Sequence, residues 1–314
     1  MMIDEKDRLI LFELFQNSRQ SNKKIAKTLR LPEKTVYNRI KRMIDEKVIT
    51  KFTCIINYQF LGYNRHSLYL DLKPEDESII EKKVSKILNL EPISCCYFLN
   101  EMSEWKLYIS SWTKTIGEFD ELQTEILSIL DGLVINYVSF QSVKSYTYLS
   151  RLLNPNKISK CDVKEDTKNI PITKQDHQLL KLLHSDSRMP LLELANTLNI
   201  HTDTVKRSIK KLKEKNILQR LYPLIDHTKV GIREYTFICR INPSGNKRIE
   251  ELINWAKKDP HFVIIIKAVG WVNLYYAFQV RDYTEFKLIR KRIRNILKDS
   301  VLKEYRIEVE KIIG

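Results

Sequence analysis

An internal repeat constrains this chain more than any other feature of its sequence. The two halves align without a gap at an offset of 169 residues. The residues that they share include Asp7 with Asp176, Ser18–Arg19 with Ser187–Arg188, Ala26 with Ala195, Thr35–Val36 with Thr204–Val205, Ile40–Lys41 with Ile209–Lys210, and Gly62 with Gly231. After a slip of two residues, apolar positions from Phe119 to Leu130 match those from Phe286 to Leu297. The chain is therefore predicted to contain two copies of one folding unit.

Each copy begins with signals for three helices. Asp4 and Thr173 are placed to cap the first helix, with Asp7 and Asp176 in its first turn, and Ser21 is placed to cap the second. A small residue inside the second helix allows close helix crossing, which a helix-turn-helix requires. The third helix is followed by "VITKFTCIIN" or "ILQRLYPLID", where a winged module carries its strand pair.

The rest of each copy changes period and predicts β-α-β-β-α-β, a ferredoxin-like order. In "HSLYLDLK", Leu68, Leu70 and Leu72 share one strand face, as Phe237 and Cys239 do in the other copy. Helices then cover only one face of the sheet. Its other face is expected to pack on the second copy, which gives an intrachain pseudo-dimer.

The predicted fold class is therefore α+β, with two winged helix-turn-helix domains and two ferredoxin-like βαββαβ domains arranged as an internal duplication. The stretch "NPNKISKCDVKEDTKNIP" between the copies is polar, charged and bracketed by prolines, as is typical of a linker. The predicted boundaries are 1–57 for the first helix-turn-helix, 58–153 for the first ferredoxin-like effector and dimerisation domain, 154–171 for the linker, 172–226 for the second helix-turn-helix, and 227–314 for the second effector domain.

Charge points to a polyanionic partner. Lys plus Arg outnumber Asp plus Glu by 54 to 39, for a net charge of +15 and a pI near 9.4. A Lys-rich surface produced by biased codon usage is the competing explanation. The N-terminus, "MMIDEKDRL", lacks the apolar core of a signal peptide, and no apolar run approaches the roughly 20 residues of a bilayer span. A cytoplasmic protein with no membrane partner is expected, and its five cysteines show no metal-type or disulfide pattern.

The third helix of each copy has the composition of a recognition helix. Val36, Ile40 and Met43 recur at core spacing, and polar and basic residues occupy the other faces. Such a helix offers hydrogen-bonding groups to base edges, while Lys and Arg neutralise phosphates. The predicted DNA-binding residues are Lys34, Thr35, Tyr37, Asn38, Arg39, Lys41 and Arg42 in the first copy, and Thr204, Lys206, Arg207, Lys210 and Lys211 in the second. The competing interpretation is a solvated helix face, and it weakens because the pattern occurs twice.

These features resemble the Lrp/AsnC family of prokaryotic transcription regulators over nearly the whole chain apart from the linker. The resemblance is carried by the D-x-x-L/I-L opening at Asp7 and Asp176, Ser18–Arg19 with its copy, "IAKTLRL" or "LANTLNI", "TVYNRIKRM" followed by "VITKF", and "LG" at Leu61–Gly62. It implies an N-terminal helix-turn-helix joined to a ferredoxin-like domain for effector binding and oligomerisation. Ser18–Arg19 could then contact a phosphate or stabilise a loop.

Three departures from the family pattern bear on function. Family members usually carry one unit per chain, whereas this chain has two. The family's arginine is kept as Arg39 in the first copy but is replaced by Ser208 in the second, and the position of Lys34 is occupied by Asp203. The two helix-turn-helix domains, called heads below, should therefore recognise unequal half-sites. The family's effector loop keeps its glycine only at Gly270.

A small effector resembling an amino acid, if one binds, is therefore expected near that glycine. The candidate residues are Gly270, Trp271, Asn273 and Lys106. A bare glycine backbone lets a ligand approach closely. A tight turn without a ligand is the competing interpretation, and Lys106 is either a carboxylate partner or a solvated strand residue.

Two other functions stay open at the sequence level. Siroheme decarboxylases resemble Lrp/AsnC proteins and work as pairs of such subunits, so a fused pair would suit them. However, only His66 and His261 fall on effector-domain strands, and no catalytic triad, paired-carboxylate site, metal cluster or cofactor site is evident. An architectural nucleic-acid binder would instead bind all sequences alike with steep salt dependence. A DNA-binding regulator, with further oligomerisation possible, is the function that the sequence favours.

Overall fold

The computed structural model describes residues 3–75, 77–101, 103–149, 151–155, 157, 161–164 and 169–312. The elements of the first copy are α1 Glu5–Gln16, α2 Asn22–Leu29, α3 Glu33–Asp45, β1 Ile49–Ile56, β2 Asn64–Leu72, α4 Glu77–Leu88, β3 Ile93–Leu99, β4 Leu107–Thr113, α5 Ile116–Ile129 and β5 Val134–Thr147, and the predicted linker contains β6 Asp162–Lys164. Those of the second are α6 Lys174–Ser185, α7 Leu191–Leu198, α8 Thr202–Glu214, β7 Leu218–Ile225, β8 Arg233–Ile241, α9 Asn246–Ala256, β9 Phe262–Gly270, β10 Leu274–Val280, α10 Tyr283–Leu297, β11 Val301–Ile307 and β12 Val309–Ile312. Within these ranges no helix is both long enough and apolar enough to cross a bilayer.

The predicted helix starts are confirmed. The Asp4 carboxylate accepts the Asp7 N–H, and the Asp7 carboxylate accepts the Asp4 N–H, so α1 begins with a reciprocal capping box. Thr173 and Asp176 form the same pair of bonds at α6. Ser21 caps α2 through its hydroxyl. Each cap satisfies backbone donors that a helix start would otherwise leave unpaired.

The second part of each copy folds into the predicted ferredoxin-like sheet. The first sheet has the order β5-β2-β4-β3, and the second has β11-β8-β10-β9. Leu68, Leu70 and Leu72 are buried beneath α4 and α5, and Phe237 and Cys239 are buried beneath α9 and α10. The alternation read from the sequence therefore places the correct strand face against the helices.

The two sheets form the expected intrachain pseudo-dimer. Tyr69 and Phe140 from the first sheet share a buried cluster with Ile238 and Tyr305 from the second. Backbone hydrogen bonds also join the two sheets at their edges. The first part of β5 pairs with β2 and its last part pairs with β9, and β12 pairs with β3. Only Glu308 separates β11 at one end of the strand order from β12 at the other, so the two sheets close around their shared core.

The strand after each recognition helix differs from the expectation that each copy would supply its own wing pair. β1 and β7 instead pair with each other in antiparallel register, with Phe52 opposite Pro223. β7 then packs Tyr222 and Ile225 against the first three-helix core, while β1 places Cys54 in the second. Because a lone strand must satisfy its backbone groups, the counterpart strand of the other copy supplies the partner.

Part of the predicted linker 154–171 is ordered against the rest of the chain. β6 pairs with the end of β5, and the Ile170 N–H donates to the Phe60 carbonyl at 2.6 Å. Residues 156, 158–160 and 165–168 of this linker lie outside the described residues.

Candidate nucleic-acid interface

The two candidate recognition helices, α3 and α8, bury the faces that the sequence predicted. Val36, Ile40 and Met43 lie in the core of the first three-helix bundle. In the second, Val205 and Leu212 are fully buried, while Ile209 is half-buried at the edge of the core. The faces of both helices that point away from these cores are exposed.

The exposed faces carry different residues in the two copies. Of the predicted DNA-binding residues, Lys34, Tyr37, Asn38 and Lys41 are exposed on α3, and Lys206, Arg207, Lys210 and Lys211 are exposed on α8. Thr35 and Thr204 are half-buried at equivalent positions. Tyr37 is 52% exposed, which is unusual for a large aromatic side chain and leaves its ring available to a partner.

Two of the predicted DNA-binding arginines are engaged within the first head. The Arg39 Nη1 lies 2.8 Å from the Asp7 Oδ1 and 2.7 Å from the Asp4 Oδ2, and the Arg42 Nη2 lies 2.5 Å from the Asp7 Oδ2. The Asp7 side chain is only 1% exposed. Both guanidinium groups therefore compensate a buried carboxylate and fix α3 against α1. Arg39 and Arg42 thus have partners within the head, and their contact with DNA stays a prediction.

The second head has a weaker version of this network. The Lys211 Nζ lies 3.2 Å from the Asp176 Oδ2, and Ser208 replaces the second cation. Burial opposes ionisation of Asp176, but hydrogen bonds from Lys211, the Thr173 backbone and Ser208 lower the pKa of that carboxyl overall. Asp176 is thus ionised at neutral pH, and Lys211 positions α8 as Arg42 positions α3.

The N-terminal ends of the two recognition helices differ in charge. Lys34 is exposed in the first turn of α3. Its counterpart, Asp203, forms an ion pair with Lys206 at 3.0 Å, and this contact lowers the pKa of the Asp203 carboxyl. Arg207 reaches the Asp203 carbonyl at 3.4 Å. A phosphate approaching α3 would meet a cation, whereas one approaching α8 at the same position would meet an anion.

The turns between the first two helices join the heads directly. The hydroxyls of Ser18 and Ser187 lie 2.7 Å apart, and both residues are fully buried. The Ser18 N–H donates to Leu221 of β7, and the Ser187 N–H donates to Phe52 of β1. These contacts support the loop-stabilising role of the serines. The sequence signal for this contact is the repeat itself, because a serine occurs at the equivalent position of both copies.

The arginines next to these serines also make contacts between the heads. The Arg19 Nη1 donates to the carbonyls of Ser187 and Met189, at 2.9 and 2.8 Å. The Arg188 guanidinium lies 5.1 Å from the centre of the Phe52 ring. The two heads therefore form one packed unit.

The contacts around Gly270 correct the reason given for an effector site there. Its φ is +126°, and a Cβ at this position would lie 2.9 Å from the Ser139 carbonyl oxygen and 3.0 Å from the Phe140 Cα. The bare backbone thus accommodates β5 of the other copy and not a ligand. The Asn273 side chain donates to the Ile241 carbonyl and accepts its N–H, both at 2.7 Å.

The two remaining effector candidates are also part of the sheet structure. Trp271 packs against Trp105 at 5.5 Å and Tyr305 at 4.7 Å between ring centroids. Lys106 is half-buried, and its N–H donates to the Leu70 carbonyl of β2. Trp271, Asn273 and the Lys106 backbone therefore all have structural partners, and an effector site at this loop stays a prediction.

The two effector-domain histidines make internal contacts, and His261 lies just before β9 and not on a strand as expected. His66 is 2% exposed and stacks on the Phe119 ring at 4.0 Å, and burial lowers its pKa to about 4. The His261 Nδ1 lies 2.8 Å from the Asp259 Oδ1. They belong to different copies, and within the described residues no group of three or more His, Cys, Asp or Glu is placed to hold a metal.

Comparison with known proteins identifies the heads and then the family. Residues 3–50 match a winged helix-turn-helix DNA-binding domain, and residues 172–213 match an AsnC-type helix-turn-helix domain. An uncharacterized HTH-type transcriptional regulator of Pyrococcus horikoshii is 35% identical over 134 residues, which are 42% of this chain and 86% of that protein. One from Pyrococcus furiosus is 31% identical over 134 residues, with the same coverage. The chain belongs to the Lrp/AsnC family of transcription regulators and carries two copies of its unit.

The two-copy architecture also has a full-length structural counterpart. The crystal structure of the siroheme decarboxylase NirDL covers 99% of this chain and 92% of its own, with a TM-score of 0.61 and 13% sequence identity. At this level of identity, the similarity establishes a shared fold.

Proposed function

We propose that this regulator binds a pseudo-palindromic operator with two unequal half-sites, as a single chain that presents α3 to one half and α8 to the other. The observation that carries the proposal is the difference between equivalent exposed positions. Tyr37 and Asn38 stand where the second head has Lys206 and Arg207. Tyr and Asn offer hydrogen bonds suited to adenine or to phosphate, whereas Arg and Lys favour the acceptor edge of guanine. Identical half-sites would therefore satisfy at most one head.

The remaining predicted contacts have two roles in this proposal. Lys34, Thr35 and Lys41 contact the backbone of one half-site, and Thr204 and Lys210 contact that of the other. Phosphate contacts of this kind position a protein without reading sequence. Arg39, Arg42 and Lys211 hold the recognition helices in place through the buried aspartates.

The packed heads also set the distance between half-sites. Ser18 and Ser187 touch, and β1 pairs with β7, so neither head can move far without breaking buried hydrogen bonds. Two helices that enter the major groove on one face of B-DNA need half-sites about 10 base pairs apart, or a multiple of that. We therefore expect a fixed spacing between the two halves of the operator.

Selection from a pool of randomised duplexes tests this function. The wild-type chain should return a site with unequal halves at fixed spacing. The matched control is a triple variant in which α8 receives the residues of α3, namely Asp203→Lys, Lys206→Tyr and Arg207→Asn. This variant should return a more symmetric site. A perfect palindrome selected by the wild type would sink the proposal, and equal binding of all sequences with steep salt dependence would favour an architectural protein.

A tetrapyrrole-binding enzyme is the second candidate, and the full-length likeness to NirDL is the observation that favours it. A structure of NirDL has been determined with an iron-uroporphyrin III analogue. The buried His66 and the paired His261 are poor candidates for acid-base roles toward such a ligand. An absorption titration of the purified chain with a uroporphyrin tests this candidate, which requires a saturable spectral shift, whereas the regulator proposal requires sequence-dependent DNA binding.

A further inference from the structure

A cavity of about 580 Å³ lies in the second effector domain, between α10 and strands β8 and β11. We call it the α10 cavity. The residues that line it are Phe237, Tyr283, Phe286, Lys287, Arg290, Lys291, Arg294, Asn295, Glu304 and Arg306. Five of these carry a positive charge and one carries a negative charge. The cavity thus combines aromatic walls with a concentration of cations.

Three of the cations lie along one stripe of α10. Lys287, Lys291 and Arg294 follow one another at i, i+4 and i+7, where like charges repel and destabilise a helix. None of the ion pairs among the described residues includes any of the three. Their mutual repulsion would be relieved by an anion in the cavity.

Arg290 and Glu304, which line the cavity, already neutralise each other's charge. Arg290 is 6% exposed and lies 4.1 Å from the centre of the Phe237 ring. Its guanidinium donates to the Glu304 carboxylate and lies 2.5 Å from the Tyr276 hydroxyl. Burial disfavours the ionised form of Glu304, but the contacts with Arg290 and Tyr276 lower the pKa of this carboxyl overall. The Glu304 carboxylate is therefore bound to Arg290. Of the other lining cations, Arg306 pairs with Glu308 at 3.1 Å and the Lys287 Nζ lies 4.7 Å from the centre of the Tyr283 ring, whereas Lys291 and Arg294 form no ion pair among the described residues.

The first copy has no equivalent charge arrangement. At the offset of 167 residues, Asp120, Thr124 and Leu127 of α5 stand where α10 has the three cations. The stripe is therefore a property of the second copy and not of the shared fold. Arg292, on another side of α10, lies over the Trp255 ring at 4.6 Å, so the basic residues of this helix do not form one continuous track for a nucleic-acid backbone.

We propose that the α10 cavity binds a small anion with at least two negative charges, of the phosphate-ester or polycarboxylate class. The cations at Lys287, Lys291 and Arg294 would hold the charged groups, and the Tyr283 and Phe286 rings, stacked at 5.7 Å, would contact its apolar part. Binding of this anion stands on the cavity itself. Its use as an effector that alters DNA affinity rests on the proposed function.

Isothermal titration calorimetry with inorganic pyrophosphate and with citrate tests the site. L-Leucine, which carries no net charge, is the control probe. The Lys291→Ala/Arg294→Ala double variant should bind the anionic probes at least tenfold more weakly than the wild type. The matched control, Lys82→Ala/Lys86→Ala on α4, removes the same charge from exposed positions of the other copy. It should change binding less than twofold.

The outcomes separate the site from its regulatory use. Binding of either anion, lost in the α10 variant and kept in the control, supports the site and identifies its chemistry. No binding to the wild type, equal loss in the control, or equally tight binding of L-leucine overturns it. At constant ionic strength, a change in DNA affinity on adding the anion supports the effector role. An unchanged DNA affinity with anion still bound would remove that role, and absence of any DNA binding would instead count against the proposed function.

Discussion

The buried aspartates of the two heads give the sharpest test of how the recognition helices are held. Asp7 and Asp176 occupy equivalent positions, yet Asp7 contacts two guanidinium groups and Asp176 contacts one ammonium group. We expect Asp7→Asn to destabilise the first head more than Asp176→Asn destabilises the second. The substitution keeps the size of the side chain and removes its charge, so each head serves as the control for the other.

The magnitudes follow from burial. Removing one partner of a fully buried ion pair costs about 3–5 kcal/mol, and a surface pair contributes about 0–1 kcal/mol. The side chains of Arg39 and Arg42 are 21% and 29% exposed, so water compensates part of the loss. We expect about 2 kcal/mol for Asp7→Asn. Lys211 is 46% exposed and makes one contact at 3.2 Å, so Asp176→Asn should cost about 1 kcal/mol.

Native-state hydrogen exchange read by mass spectrometry is the appropriate assay. The four tryptophans, Trp105, Trp112, Trp255 and Trp271, all lie outside the three-helix heads, so their fluorescence would not report on either head. Exchange of α3 amides should accelerate roughly 30-fold in the first variant, and exchange of α8 amides roughly fivefold in the second, since each 1.4 kcal/mol is a factor of ten. Equal acceleration in both heads, or a larger effect in the second, would refute the reasoning.

Three further predictions concern two single positions and one pair of residues. Burial lowers the pKa of His66 to about 4, so below about pH 6.5 the unfolded state binds more protons than the folded state. The free energy of unfolding should therefore fall by up to about 2 kcal/mol from pH 7 to pH 5. Urea titrations at the two pH values should show that His66→Gln removes this part of the pH dependence. Gly270→Ala should lower the free energy of unfolding by about 2–3 kcal/mol, measured by urea, because its Cβ would press on the β5 backbone; a change below 0.5 kcal/mol would contradict the close approach. A double-mutant cycle with Ser18→Ala and Ser187→Ala should give a coupling of about 1 kcal/mol, and strictly additive losses would show that the two hydroxyls do not stabilise one another.

Periodicity and caps predicted the elements of this fold because they are local. Asp4 and Ser21 cap helices that begin within one turn of them, and alternating Leu68 and Leu70 define a strand face without reference to the rest of the chain. The position of the second copy was predicted only in outline. The pairing of β1 with β7 and of β5 with β9 depends on which strand edges remain unpaired after each copy has folded.

The sequence predicted which residues of the candidate site are exposed, but it did not predict the contacts that these residues make within the protein. Exposed Lys34 and Asn38 follow from helical spacing alone. The engagement of Arg39 by Asp7 joins residues 32 positions apart, and a basic residue on a helix gives no indication of whether its charge is already paired. Gly270 shows the same limit, since its sequence signal is a positive φ or a close approach and does not say what approaches.

The fusion of two copies explains why their surfaces differ while the Ser18–Ser187 contact between them keeps the same residue on both sides. In a symmetric dimer of separate chains, every substitution appears in both subunits. In this chain a substitution appears once, so Asp203 can differ from Lys34 and the α10 stripe can differ from α5. Ser18 and Ser187 must still meet each other, so this contact retains the same residue in both copies. An operator with unequal halves would then bind the chain in only one orientation, which places the α10 cavity on a fixed side of the bound DNA sequence.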